Sequence, residues 1–128
     1  MTLFLWSMLS GWTAWFALLR GAIMPFEKRR NSDARPYIVH LQPHYWLSFL
    51  SLGAAVLHTK IALDFPRLAG TDRTGLWLAA TALLFMLLQT AMGFALQYPF
   101  PGRRYARKAH LGICLALVPL LIAHIALN

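Results

Sequence analysis

Residues 36–59 read PYIVHLQPHYWLSFLSLGAAVLHT, without one Asp, Glu, Lys or Arg. A helix that crosses the hydrocarbon core of a bilayer needs about 20 consecutive, mostly apolar residues, and this stretch supplies them. Working outward, residues 1–19, 74–102 and 109–128 are equally free of formal charge. The runs are continuous and Leu-rich rather than alternating, which excludes a membrane β-barrel. With 59% hydrophobic and 12% charged residues and a mean hydropathy of +0.54, the chain lacks the polar surface of a soluble domain. The expected fold is an all-α integral membrane four-helix bundle, up-down-up-down, filling residues 1–128 as one transmembrane domain.

Proline and charge mark the helix ends. Helices are expected over about 3–24, 37–63, 75–98 and 104–127, the first closed by Pro25 and the second by Pro66, since proline cannot continue the hydrogen-bond ladder. The second starts either at Pro36, with Pro43 as an internal kink, or at Pro43 after a short interfacial turn. Pro99 and Pro101 follow the third, and Pro119 bends the fourth. The N-terminal run lacks a basic flank and an A-x-A-like cleavage site, and it is read as a membrane helix rather than a signal peptide. The single cysteine, Cys114, allows no intrachain disulfide and no C-x-x-C-H haem attachment. It is read as a small buried hydrophobe.

The net charge of +8 reports topology rather than a nucleic-acid partner, because the basic residues sit in short connections and form no coherent soluble face. Lys28, Arg29, Arg30 and Arg35 follow helix 1, and Arg103, Arg104, Arg107 and Lys108 follow helix 3. The other connection holds Arg67 and Arg73, with Lys60 just before it. By the positive-inside rule the two richer connections are cytoplasmic and both termini lie outside. The expected location is therefore a bacterial inner membrane, with the termini periplasmic. Tyr37, Tyr45, Trp46, Tyr98 and Tyr105 fall at the inner interface and Trp6 and Trp77 at the outer. Trp12 and Trp15 are read as deeper packing residues, and Arg20 as snorkelling to the inner headgroups or meeting a haem propionate.

Five histidines carry the chemistry: His40, His44, His58, His110 and His124. His44 and His58 are 14 residues apart on helix 2, and so are His110 and His124 on helix 4. Fourteen residues make about 3.9 turns and a rise of about 21 Å, so each pair projects from one helix face. Alternating helices put helices 2 and 4 parallel. His44 then meets His110 near one membrane face and His58 meets His124 near the other, each pair offering two imidazoles to opposite faces of one haem iron. Ser51 lies midway between His44 and His58, with Gly53, Ala54 and Ala55 beside it. On helix 4 Leu117 is the midpoint, with Gly112 and Ala116 nearby. Thr81, Gln89 and Thr90 on helix 3 are polar groups inside the bundle without an assigned role. His40 has three readings: an interfacial residue, a propionate contact or part of a quinone pocket. It also competes with His44 as the helix 2 ligand, although 18 residues to His58 breaks the match with helix 4.

Any one histidine in an apolar helix is more simply a packed residue bonded to a hydroxyl or carbonyl. Four at matched spacing on parallel helices are harder to reach by accident, and ionisable groups in membrane segments point to function. A zinc or non-haem iron centre wants three or four converging ligands, and no acidic residue lies in these runs to join two histidines. No P-loop, dinucleotide, H-E-x-x-H or serine-triad motif is present.

H-x13-H on helix 2 and H-x13-H on helix 4 resembles the two-haem core of the cytochrome b superfamily, shared with the membrane domain of ferric-reductase and NADPH-oxidase-like proteins. The resemblance implies haem b, two per chain, with His44 and His110 matching the ligands of the cytoplasmic-side haem and His58 and His124 those of the outer-side haem. It also implies single electrons moving across the membrane. Ser51, Arg35 and Arg103 join the cofactor-binding candidates, the arginines as propionate partners, as do Arg104, Lys60 and Arg67. The chain departs from the quinol-oxidising cytochromes in lacking a P-E-W-type motif and further helices, and from the reductases in lacking a flavin or nicotinamide domain. An electron-transfer subunit of an oxidoreductase is therefore expected rather than a self-contained enzyme. Its partners would be a peripheral or membrane redox subunit, and a quinone or a periplasmic electron carrier. The alternative is a single-haem or quinone-binding anchor of a respiratory complex, and a third reading is a transporter or structural subunit with unliganded histidines.

The charge distribution sets an expected topology. Reporter fusions after Asn128 and in the 64–74 connection register outside, and fusions within 26–35 register inside; the reverse pattern would overturn the sidedness.

Overall fold

The computed structural model describes residues 2–30, 37–65 and 73–127, giving for residues 28–30 and 37–40 the backbone alone. Four helices account for nearly all of it: α1 (Thr2–Arg30), α2 (Tyr37–Asp64), α3 (Arg73–Ala95) and α4 (Arg103–Leu127). Each contains a span long and apolar enough to cross a membrane, and together they form an all-α bundle. Its outer surface is apolar, with Phe4, Phe16, Leu84 and Leu115 among the exposed side chains. A lipid-facing exterior needs no polar coat, because acyl chains are as apolar as leucine. Trp46, Trp77 and Tyr105 are also exposed, towards the ends of their spans where amphipathic rings meet headgroups.

α1 packs on α2, α3 on α4, and α2 on α3. The α1–α2 register repeats every seven residues: Ser7 meets His58, Ala14 meets Ser51 and Gly21 meets His44. Numbers that rise along one helix as they fall along the other define an antiparallel pair. α3 and α4 are likewise antiparallel, with Gly75 against His124 and Gln89 against His110. α2 and α4 therefore run parallel. At mid-height the bundle is most tightly filled. Leu117 is fully buried and Ser51 nearly so, and Leu117 packs with Ala82 and Met86 of α3, flanked by Leu18, Leu52 and Phe85.

Several boundaries differ from the sequence reading. α1 does not stop at Met24 but continues through Pro25 to Arg30. Proline removes one N–H, the one that would have bonded the carbonyl four residues earlier, and a membrane helix tolerates this when a neighbour satisfies the freed group. The carbonyl in question is that of Gly21, and a side chain of α2 reaches it. α2 begins at Tyr37 with Pro43 inside it, the first of the two alternatives. α3 ends at Ala95, after which Gln97 and Tyr98 close a turn onto Phe94 and Ala95. Gly102, at φ +86°, then swings the chain into α4, a conformation that glycine adopts without a Cβ penalty.

Trp12 is not a deep packing residue; it is 45% exposed and stacks on Phe16. Gly53 and Gly112 face outward, and a Cβ on either would meet nothing within 4 Å. Neither narrows the bundle interior. Arg20 pairs with Glu27 at 2.6 Å on the exposed face of α1, and Lys60 pairs with Asp64 one turn further on.

Candidate histidine site

An imidazole placed in a bilayer must satisfy its N–H without water, and in this fold the neighbouring helix does so. His44 Nδ1 lies 2.8 Å from the Gly21 carbonyl and His58 Nδ1 2.9 Å from the Ser7 carbonyl. Across the bundle, His124 Nδ1 lies 3.2 Å from the Gly75 carbonyl. A carbonyl only accepts, so Nδ1 carries the proton in all three rings and Nε2 keeps the lone pair. That tautomer is the one a metal-binding imidazole needs, with the far N–H fixed by a backbone oxygen.

His110 reaches the same tautomer by another route. Its Nε2 lies 3.2 Å from the Gln89 side-chain nitrogen, which only donates, so Nε2 again holds the lone pair. Its Nδ1 is buried without a hydrogen-bond partner among the described residues, as is the Gln89 side-chain oxygen. Gln89, one of the polar α3 residues left unassigned from sequence, thus occupies the lone pair that a metal at His110 would take. Thr81 turns back on its own helix, to the Trp77 carbonyl.

The rings meet in the expected pairs. His44 and His110 have ring centroids 6.3 Å apart, and His58 and His124 6.4 Å apart, with planes crossing at 75° and 80°. A five-membered ring with bonds of about 1.33 Å has a radius of about 1.1 Å. An imidazole nitrogen binds a first-row metal at about 2.0–2.1 Å, so two imidazoles on opposite sides of one ion have centroids about 6.3–6.5 Å apart. Both pairs have that separation. Among the described residues no group of three or more His, Cys, Asp or Glu gathers. Each pair thus offers two side-chain nitrogens and no third protein ligand among the described residues. α2 and α4 are not among the closely packed helix pairs, so the rings approach across the bundle between backbones that stand apart. The space between the first pair is nearly closed, about 10 Å³, and is lined by His44, Ser48, Phe49, Gln89, Gly93 and His110.

Glycines on α1 and α3 make these positions. A Cβ on Gly11 would stand 3.2 Å from the His58 ring, and one on Gly93 3.1 Å from the His110 ring. Gly21 lies beside His44, and Gly75 is buried under His124. Sequence reasoning missed all four. The available signal was a glycine on the preceding helix at the height of each histidine.

The other candidates fall as follows. Ser51 donates to the Ala14 carbonyl at 2.8 Å, tying α1 to α2 midway between the two pairs. Arg103 donates from Nη2 to the Leu96 carbonyl at 2.7 Å, while its Nε is buried without a partner among the described residues. That places a guanidinium at the end of the bundle that holds His44 and His110. Arg35 and Arg67 lie outside the described residues, and the side chain of His40 does too. No family model, curated protein or solved structure matches the chain.

The glycine contacts give a sign-reversing expectation. Gly11→Ala and Gly93→Ala force a methyl against a tethered ring and lower stability by about 1–3 kcal/mol. Gly53→Ala and Gly112→Ala, which meet open space, raise it by about 0.5–1 kcal/mol through helix propensity. Unfolding in detergent, followed by circular dichroism, reads the difference, and equal effects at all four positions would contradict the site geometry.

Proposed function

We propose that this chain is a membrane-embedded b-type cytochrome that holds two haems, each between two histidines, and carries electrons across the bilayer as a subunit of an oxidoreductase. The observation that carries the reading is the pair of cross-helix imidazole couples at 6.3 and 6.4 Å, on parallel helices and in one tautomer. His44 and His110 would hold one haem and His58 and His124 the other. When bound, haem supplies the one-electron redox chemistry of iron.

The chain's own residues do the rest. Gly21, Ser7 and Gly75 orient three of the four rings through their carbonyls. Gly11 and Gly93 let two of the rings lie against a neighbouring backbone. Ser51 and Leu117 fill the layer between the pairs and exclude water from it. Arg103, with one buried guanidinium nitrogen unpartnered among the described residues, is a cation at hand for a propionate. The pairs stand about 21 Å apart along the helices, so one lies towards each membrane face. The sidedness we assign places His44 and His110 on the cytoplasmic side, with both termini periplasmic in a bacterial inner membrane. There the basic connections would also dock an acidic redox subunit. A quinone or a periplasmic carrier would serve the other face.

Gln89 favours keeping a second reading. Because its amide holds the His110 lone pair, a chain binding a single haem would bind it at His58 and His124. Such a chain would act as a one-haem or quinone-binding anchor of a respiratory complex.

Stoichiometry separates the two. Protein purified in mild detergent, with haem added during expression, is expected to contain about two non-covalent haems per chain, released by acidic organic solvent and reducible by dithionite. One haem per chain supports the anchor, and none contradicts both.

A further inference from the structure

Pro25 would not be expected to matter to a redox centre, since it sits on α1, away from the helices that carry the histidines. Its effect runs through the carbonyl that it leaves unbonded. In an α-helix the N–H of residue 25 bonds the carbonyl of residue 21; proline has no N–H, and its ring pushes that carbonyl out of line. α1 continues through Pro25, so the Gly21 carbonyl has no α-helical donor. His44 Nδ1 lies 2.8 Å from it, the shortest of the three histidine–carbonyl distances.

The other carbonyls are shared. The Ser7 carbonyl that receives His58 at 2.9 Å keeps its α-helical donor, the N–H of Gly11; Ser10 Oγ lies 3.0 Å from it but nearer the Trp6 carbonyl, at 2.8 Å. The Gly75 carbonyl, 3.2 Å from His124, has Ala79 N–H as its helical donor. An acceptor divided among several donors gives less to each. A stronger Nδ1–H bond makes the imidazole more basic and a better electron donor to a metal at Nε2, and such bonding is one of the levers on the potential of a haem iron.

We propose that Pro25 is a positioning residue for the His44–His110 centre: by reserving the Gly21 carbonyl for His44 it strengthens that ligand and lowers the potential of that centre without altering the other. The inference rests on the two-haem reading above. It adds to the inequivalence of the two centres through a residue that is not itself a ligand.

The test compares Pro25→Ala and Pro25→Leu with Pro119→Ala. The first two restore the same N–H with side chains of different volume. The third removes a helix proline whose freed carbonyl belongs to Leu115, which is 65% exposed and meets no histidine. In redox titrations, both Pro25 variants are expected to raise the midpoint of the haem lost in His44→Leu by equal amounts. The other haem should hold its midpoint, and Pro119→Ala should move neither. An unchanged midpoint, equal shifts at both haems, a shift that follows side-chain volume, or the same shift in Pro119→Ala would each overturn the inference. The hydrogen bond has a second readout in chain labelled with 15N-histidine, with or without haem. The Nδ1 resonance of His44 should move in Pro25→Ala towards that of a more weakly bonded N–H, and its failure to move would overturn the inference. Wild-type protein without haem would instead remove the function reading, leaving the 15N comparison to decide the role of Pro25.

Discussion

His44, His58 and His124 each have to satisfy one nitrogen in a medium without water, and the arrangement of the bundle follows from that requirement. The N–H must end on a backbone oxygen of another helix, because the histidine's own helix has its carbonyls committed along its length. That fixes α1 against α2 at the heights of Ser7 and Gly21 and α3 against α4 at Gly75. It also dictates the small residues, since a ring reaches a neighbouring carbonyl only where no side chain stands in front. The seven-residue step that joins Ser7, Ala14 and Gly21 to His58, Ser51 and His44 is the same constraint expressed along the helix. An every-seven pattern keeps one face of two antiparallel helices in contact over several turns.

The same residues divide the interior into layers. A histidine pair lies towards each end, and a dry plug built on Leu117 and Ser51 lies between them. Ser51 takes the middle place because its hydroxyl replaces the imidazole in the same bonding scheme, donating to Ala14 as the histidines donate to their carbonyls. The two ends are not alike. One has both rings docked on backbone oxygens; the other has His44 docked and His110 held by Gln89. In the two-haem reading proposed above, this asymmetry would set a gradient between the centres.

The bundle and the histidine pairs were legible because they depend on features a sequence carries openly. Long uncharged runs give the spans, and 14 residues nearly equal four whole turns, so His44 and His58 share a face whatever surrounds them. The midpoints Ser51 and Leu117 follow from the same count. The glycines were not legible for a related reason. Gly53 and Gly112 sit beside the histidine stripe in sequence yet face outward, and nothing in an all-apolar helix marks which side meets lipid. Gly11, Gly21, Gly75 and Gly93 become visible only once the register between helices is known. Pro25 was read by the rule for soluble helices, in which an unpaired carbonyl ends in water. In this bundle the carbonyl ends on His44, and the helix goes on.

The central claim is that His44 pairs with His110 and His58 with His124 around separate irons, and single histidine replacements resolved haem by haem test it most directly. Leucine is the replacement of choice, because a methionine thioether can itself ligate iron. Redox titration with electron paramagnetic resonance then identifies which species survives, which total protein yield cannot do. His44→Leu and His110→Leu are expected to lose one and the same species, and His58→Leu and His124→Leu the other. Loss of one species by His44→Leu and His124→Leu together, or loss on His40→Leu while His44→Leu keeps both, would contradict the account.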